Sequence, residues 1–134
     1  MMEIFLTNKF KVIIIGILFN PKARKILIGK NHGDKTLSFL EGELKYSEEL
    51  DICLKRVAKE KTGYIIHNLG AVYAENKLNK KDELHIYFLC EATEGKEKPG
   101  KNVAELKWIN PKEIEKKLGK KLPTRLREYV LGLG

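Results

Sequence analysis

Apolar residues recur along this chain in two rhythms. From Leu50 to Ala58 they fall at three- and four-residue intervals, as Leu50, Cys53, Leu54, Val57 and Ala58. That spacing predicts a helix with a single apolar stripe, and therefore a helix that lies on a hydrophobic surface. Ser47 is the expected N-cap. Glu48 and Glu49 place negative charge in the first turn, and Lys55, Arg56, Lys59 and Lys61 load the second half, as the helix dipole prefers. Gly63 stands where a left-handed residue would stop the helix.

Elsewhere the rhythm is that of strands. Lys9 to Phe19 predicts a first long strand, and its run from Val12 to Phe19 is apolar on both faces, as in a buried central strand. Asn20-Pro21-Lys22 reads as a turn into Lys25 to Gly29, which makes a hairpin. Tyr64 to Glu75 predicts a long strand bent near Gly70, followed by a lysine-rich turn from Asn76 to Asp82. Glu83 to Glu91 is expected as a strand partly buried on both faces, with His85, Tyr87 and Leu89 alternating against Leu84, Ile86, Phe88 and Cys90. Ala104 to Ile109 forms a short strand that carries Trp108. Asn110 as cap and Pro111 at the first helical position open a helix to about Leu118, and a last helix runs from Pro123 to Leu131. Asn31 to Lys35 and Thr93 to Asn102 read as mobile polar loops, with His32 exposed rather than catalytic.

Composition narrows the class. The 134 residues, 43% hydrophobic and 33% charged, suit one domain over residues 1–134 with one core. Lys and Arg number 26 against 18 Asp and Glu, a net charge of +8, with an isoelectric point near 9.4. Such a surface favours anionic partners, whether nucleotides, RNA or acidic membranes, although solvated lysines account for it equally. Cys53 and Cys90 read as reduced core thiols and offer no zinc site. Val12 to Phe19 is too short to span a bilayer and no leader pattern follows it, so no membrane association and cytoplasmic residence are expected.

The most specific signal is a spacing. Gly42, Glu48, Arg56, Glu60 and Gly63 fall without a gap on the anchors of G-x5-E-x7-R-E-U-x-E-E-x-G-U, where U is a bulky aliphatic. Phe39 looks like the aromatic that precedes that motif, with Leu40-Glu41-Gly42 after it. On these residues the chain resembles the Nudix family, and the order of its elements agrees. The resemblance implies an α/β fold, a Nudix-type α/β/α sandwich with a mixed β-sheet and a loop-helix-loop box. It also implies hydrolysis of a nucleoside diphosphate linked to another group, with magnesium or manganese gathered by the box glutamates.

Three positions depart from the motif. Where the resemblance implies three metal-gathering carboxylates, this chain has Val57, Glu60 and Lys61. Their charges sum to zero rather than three negative. Magnesium wants several hard oxygen ligands, which valine and ammonium cannot supply. An ammonium about 4 Å from a divalent ion costs roughly 8 kcal/mol at an effective dielectric near 20. The expectation is a domain for nucleoside-diphosphate-linked ligands whose pyrophosphohydrolase activity is weak or lost, with magnesium or manganese as cofactor if active and none otherwise.

Two alternatives stand beside it. One is an active metal-dependent hydrolase that draws on Glu41 or Glu43 from the box loop and Glu91 or Glu105 from the sheet. The other is a basic RNA- or protein-interaction domain, although the sequence shows no interleaved aromatics for base stacking. Gly42, Lys61 and Arg56 are the candidate phosphate or ligand contacts. Glu60 is the candidate metal ligand, Glu60 and Glu48 are the candidates for catalysis, and Glu48, Arg56 and Gly63 are structural members of the box. Each has a plainer reading as well. Glu48 can be first-turn charge with Arg56 as its partner, Glu60 an exposed partner for a lysine, and Gly42 turn chemistry. Val57 reads best as core, contributing about 1.5 to 3 kcal/mol if fully buried.

Overall fold

A computed structural model describes residues 10–77 and 82–134. Lys9 and residues 78–81 of the expected lysine-rich turn lie outside the described residues. The apolar run becomes β1 (Lys11–Asn20), and Ile14, Ile17 and Leu18 within it are completely buried. It pairs with β5 (Glu83–Gly95) in parallel from Lys11 to Leu18. Its other edge is shared. The C-terminal part takes β2 (Lys25–Asn31) and the N-terminal part takes β3 (Leu40–Glu43), both antiparallel. β4 (Tyr64–Asn76) flanks β5 and β6 (Val103–Ile109) flanks β2, giving the path β4-β5-β1-β2-β6 with β3 on β1. The sheet is mixed, as expected.

Alternation along β1 separates two hydrophobic layers. Ile14 and Leu18 join Leu54, Val57 and Ala58 of α1 (Leu50–Thr62) on one face. Ile15 and Ile17 join Ile114 and Leu118 of α2 (Ile114–Leu118) and Leu126 and Val130 of α3 (Thr124–Gly132) on the other. Helices therefore cover both faces, and the α/β/α sandwich is realised. Asn110 accepts from the Lys112 amide and Pro111 opens a 3-10 turn before α2, as the cap residues predict. The bend in β4 also falls in place, at Gly70 with φ 116° beside a register shift.

Three local expectations are corrected. Ser47 is not the N-cap: it lies at φ 62°, the helix begins at Leu50, and the preceding Glu49 makes no side-chain cap. The turn is held instead by Glu48, whose Oε1 accepts from the Lys45 amide at 3.0 Å. Leu50 is 40% exposed, so the buried stripe starts at Cys53 and ends at Thr62. The stretch Thr93 to Asn102 is not a free loop. β5 continues to Gly95, and then the Lys98 and Gly100 amides bond the carbonyls of Thr62 and Lys61 at 2.8 and 3.0 Å. A helix ends with unsatisfied carbonyls, and this segment supplies donors for two of them. Gly100 is required there because a side chain would collide with the Glu60 carbonyl.

Candidate functional site

The loop before α1 is joined to the helix by one guanidinium. Arg56 Nε lies 2.8 Å from Glu48 Oε2 and Arg56 Nη2 3.0 Å from Glu48 Oε1, a two-pronged pair. Nη2 also donates to the Glu43 carbonyl at 3.0 Å, and Nη1 to Glu60 Oε1 at 3.1 Å. The hydrogen bond from Arg56 holds the Glu48 carboxyl down to about 2, and the same contact pushes the Arg56 guanidinium above its ordinary value. Arg56 is thus engaged on three sides. Glu60 is 58% exposed at its side chain and turned toward Arg56.

Gly42 sits in β3 with its α-carbon against Val57. A Cβ added there would lie 2.5 Å from Val57 Cγ2. Val57 is buried, and it fills the space that any side chain at Gly42 would need. Gly63 has φ 81° and its amide bonds the Lys59 carbonyl, so it is the left-handed stop that the sequence predicts.

A cleft of about 450 Å³ opens on the sheet face away from α1. Ile13 and Ile15 of β1 form its apolar floor, with Phe39 and Leu118 beside them. Glu41, Gly42 and Glu43 line it from β3, and His85 and Tyr87 from β5. Lys61 reaches in from the last turn of α1, its Nζ 3.1 Å from Asn31 Oδ1. Lys77, Glu83 and Lys120 complete the charged lining. Burial pushes the Tyr87 hydroxyl above the usual range, with help from the Glu75 and Glu41 charges. Of the residues expected to contact a ligand, Gly42 and Lys61 line the cleft and Arg56 does not. Of the four substitute carboxylates, Glu41 and Glu43 line it.

Glu91 falls elsewhere, in a groove of about 330 Å³ lined by Phe19, Tyr64 and Trp108. Glu105 lies on β6 opposite Lys30 and lines neither space. In the groove, Glu97 Oε1 accepts from Trp108 Nε1 at 2.6 Å and from the Tyr64 hydroxyl at 3.3 Å. The sequence scatters these aromatics over three strands, which is why no interleaved pattern is visible in it.

Sequence reasoning missed Glu83, His85, Lys77 and Lys120. His85 shares a strand face with Tyr87, and this alternation was the only local signal. Its approach to Glu43 follows from the parallel pairing of β5 with β1, which no local pattern encodes.

A mixed sheet between two helical layers, with a loop, helix and glycine stop beside a charged cleft, defines a class of diphosphate-hydrolase fold. A family model, the NUDIX domain, matches residues 9–129. The chain belongs to the Nudix family. Solved structures agree on the fold. An ADP-ribose pyrophosphatase from Streptococcus suis aligns with a TM-score of 0.73 at 17% identity, over 93% of this chain and 89% of the other. A NUDIX hydrolase from Nitrosomonas europaea gives 0.76 at 16% identity, over 91% and 70%. A UDP-X diphosphatase gives 0.71 at 15% identity, over 92% and 62%. No curated protein sequence matches.

Nudix hydrolases generally use divalent metals, and the box of this chain does not fit one. Val57 is buried, Lys61 brings a cation, and Glu60 is turned to Arg56. Among the described residues, no three His, Cys, Asp or Glu side chains gather in a way that could hold an ion. No helix among them is long and apolar enough to cross a membrane.

Proposed function

We propose that the cleft binds a nucleoside diphosphate derivative with Lys61 against its phosphates, and that pyrophosphohydrolase activity is weak or lost. The observation that carries this reading is the place of Lys61, an ammonium at the cleft wall where the box motif has a carboxylate. Lysine serves phosphate as a point charge and supplies the neutralisation that a metal would otherwise bring. The printed names of the structural relatives, an ADP-ribose pyrophosphatase and a UDP-X diphosphatase, support the ligand class.

Calorimetry with ADP-ribose, run once in magnesium and once in EDTA, tests the binding half. Equal affinity is expected, and a strict metal requirement overturns the reading. A turnover screen over nucleoside diphosphate derivatives with magnesium and manganese tests the chemical half. The wild type is expected to be nearly inert and the Val57→Glu, Lys61→Glu double variant to gain turnover. Brisk wild-type turnover would sink it.

A second reading, an active metal-dependent hydrolase, is favoured by one observation: Glu41 and Glu43 line the cleft together with Glu83. Under it, manganese-dependent turnover of the wild type is lost in Glu41→Gln and Glu43→Gln.

A further inference from the structure

The cleft is sorted by hydrogen-bonding character. Lys61, Asn31 and Ser38 put donors on one wall, whereas Glu41 and Glu43 from β3 and Glu83 and His85 from β5 stand over the sheet. Strand register fixes where the latter lie. Glu43 and His85 both pair with Ile13, one from each side of β1, and Glu41 and Tyr87 likewise flank Ile15. Neighbouring strands are about 4.8 Å apart, so Glu43 and His85 face each other across roughly 10 Å of backbone, with one isoleucine between them.

His85 is set in one orientation. Its Nε2 lies 2.8 Å from Glu83 Oε1, and a carboxylate can only accept, so the proton sits on Nε2. In the neutral ring, Nδ1 is then a bare acceptor. Nδ1 has no hydrogen-bond partner among the described residues. No buried side-chain nitrogen or oxygen among them lacks a partner either, so Nδ1 is open to the cleft. The sheet side of the cleft therefore offers acceptors, and these repel phosphate and take hydroxyl protons.

We propose that His85, positioned by Glu83 and facing Glu43 across Ile13, receives hydroxyl groups of the moiety beyond the diphosphate, so that the preferred ligand is a nucleoside diphosphate joined to a polyhydroxylated sugar. This rests on the reading of the cleft as a site for nucleoside diphosphate derivatives. It adds which derivative and which way round it lies. The phosphates sit at Lys61, and the sugar sits over the β1 floor.

The test is calorimetry in EDTA at pH 8, above the ordinary imidazole range, with ADP-ribose against ADP and UDP-glucose against UDP. The wild type is expected to bind each sugar nucleotide about tenfold more tightly than its parent diphosphate, as one or two added hydrogen bonds imply. His85→Phe is expected to abolish that preference and leave ADP affinity as it was. His85→Gln, whose amide oxygen can accept, restores part of it. Glu83→Gln lowers the ratio of the two affinities, a readout that a purely structural role would not move. Melting curves establish that each variant is folded.

Equal binding of ADP-ribose and ADP by the wild type overturns the proposal, as does a preference that survives His85→Phe. An equal loss of both ligands in His85→Phe would place the nucleoside there instead, and this also overturns it. If ADP and ADP-ribose both fail to bind the wild type, the reading of the cleft itself falls first.

Discussion

Gly42 and Val57 meet so closely that a Cβ on the glycine would lie 2.5 Å from Val57 Cγ2. The two positions belong to the same motif and are folded against each other, one on β3 and one on α1. The glycine is needed here to make room for a buried valine, whatever ligand lies on the far side of the strand.

Gly42→Ala is therefore expected to destabilise the fold by about 1 to 3 kcal/mol, the usual cost of overpacking a core. Gly42→Ala combined with Val57→Ala recovers part of that loss, because the space is vacated. Urea unfolding of the three variants measures both, and additive losses would contradict the contact.

The Glu48 carboxyl is held at about 2, against 4.5 for the free group, chiefly by its hydrogen bond from Arg56. A carboxyl whose folded value is depressed adds stability that is fully present above the unfolded value and is lost as pH falls through the folded one. The wild type should thus lose stability between about pH 4.5 and 2, and Glu48→Gln should lose less over that window, having started lower. Melting temperatures of both proteins across the acid range check the slope.

Lys61 carries the proposed phosphate contact. Lys61→Ala is expected to weaken nucleoside diphosphate binding in EDTA by roughly 10- to 100-fold, the range for a hydrogen bond to a charged group. Lys61→Glu should weaken it further. Unchanged affinity in titration calorimetry would remove Lys61 from the site.

Both thiols are inert in the folded chain. Burial pushes Cys53 up to about 11, with the Glu48 charge adding to it, and burial alone pushes Cys90 up to about 12. Thiolate is the reactive form, so a disulfide reagent at pH 8 should find no rapid thiol until denaturant is added. Fast labelling of the native protein would show that one of these sites is open.

Trp108 reports on the segment that closes the end of α1. Glu97 Oε1 accepts from its indole at 2.6 Å, and the neighbouring Lys98 and Gly100 bond the last carbonyls of the helix. Glu97→Ala is expected to shift Trp108 emission and to lower stability by about 0.5 to 2 kcal/mol. An unchanged spectrum would show that the indole is held by other contacts.

The parts of the fold that were legible in sequence are those governed by neighbours in the chain. The stripe from Cys53 to Ala58, the stop at Gly63 and the cap at Asn110 with Pro111 depend on residues within a few positions. Ser47 misled because its hydroxyl suits a cap, while Glu48 is better placed once Arg56 has drawn it in. Thr93 to Asn102 reads as loose by composition because its partners are the carbonyls of Lys61 and Thr62, far back in sequence. The cleft was legible only in part. Lys61, Glu41 and Glu43 lie in or beside the motif, but Glu83 and His85 arrive by a parallel strand pairing that carries no local mark. Arg56, which the sequence made a ligand contact, has its guanidinium taken up by Glu48, Glu60 and the Glu43 carbonyl.

One edge of β1 serves two strands end to end. β3 stops pairing at Gly16 and β2 starts at Leu18, with only Ile17 between them. A slip of β3 by one residue would turn Glu41 and Glu43 toward α1 and Gly42 toward the cleft, since faces alternate. A slip of two toward Phe19 would keep the faces but run the strand into its neighbour. The hairpin thus acts as an abutment: sliding the box strand forward means dislodging part of the central sheet.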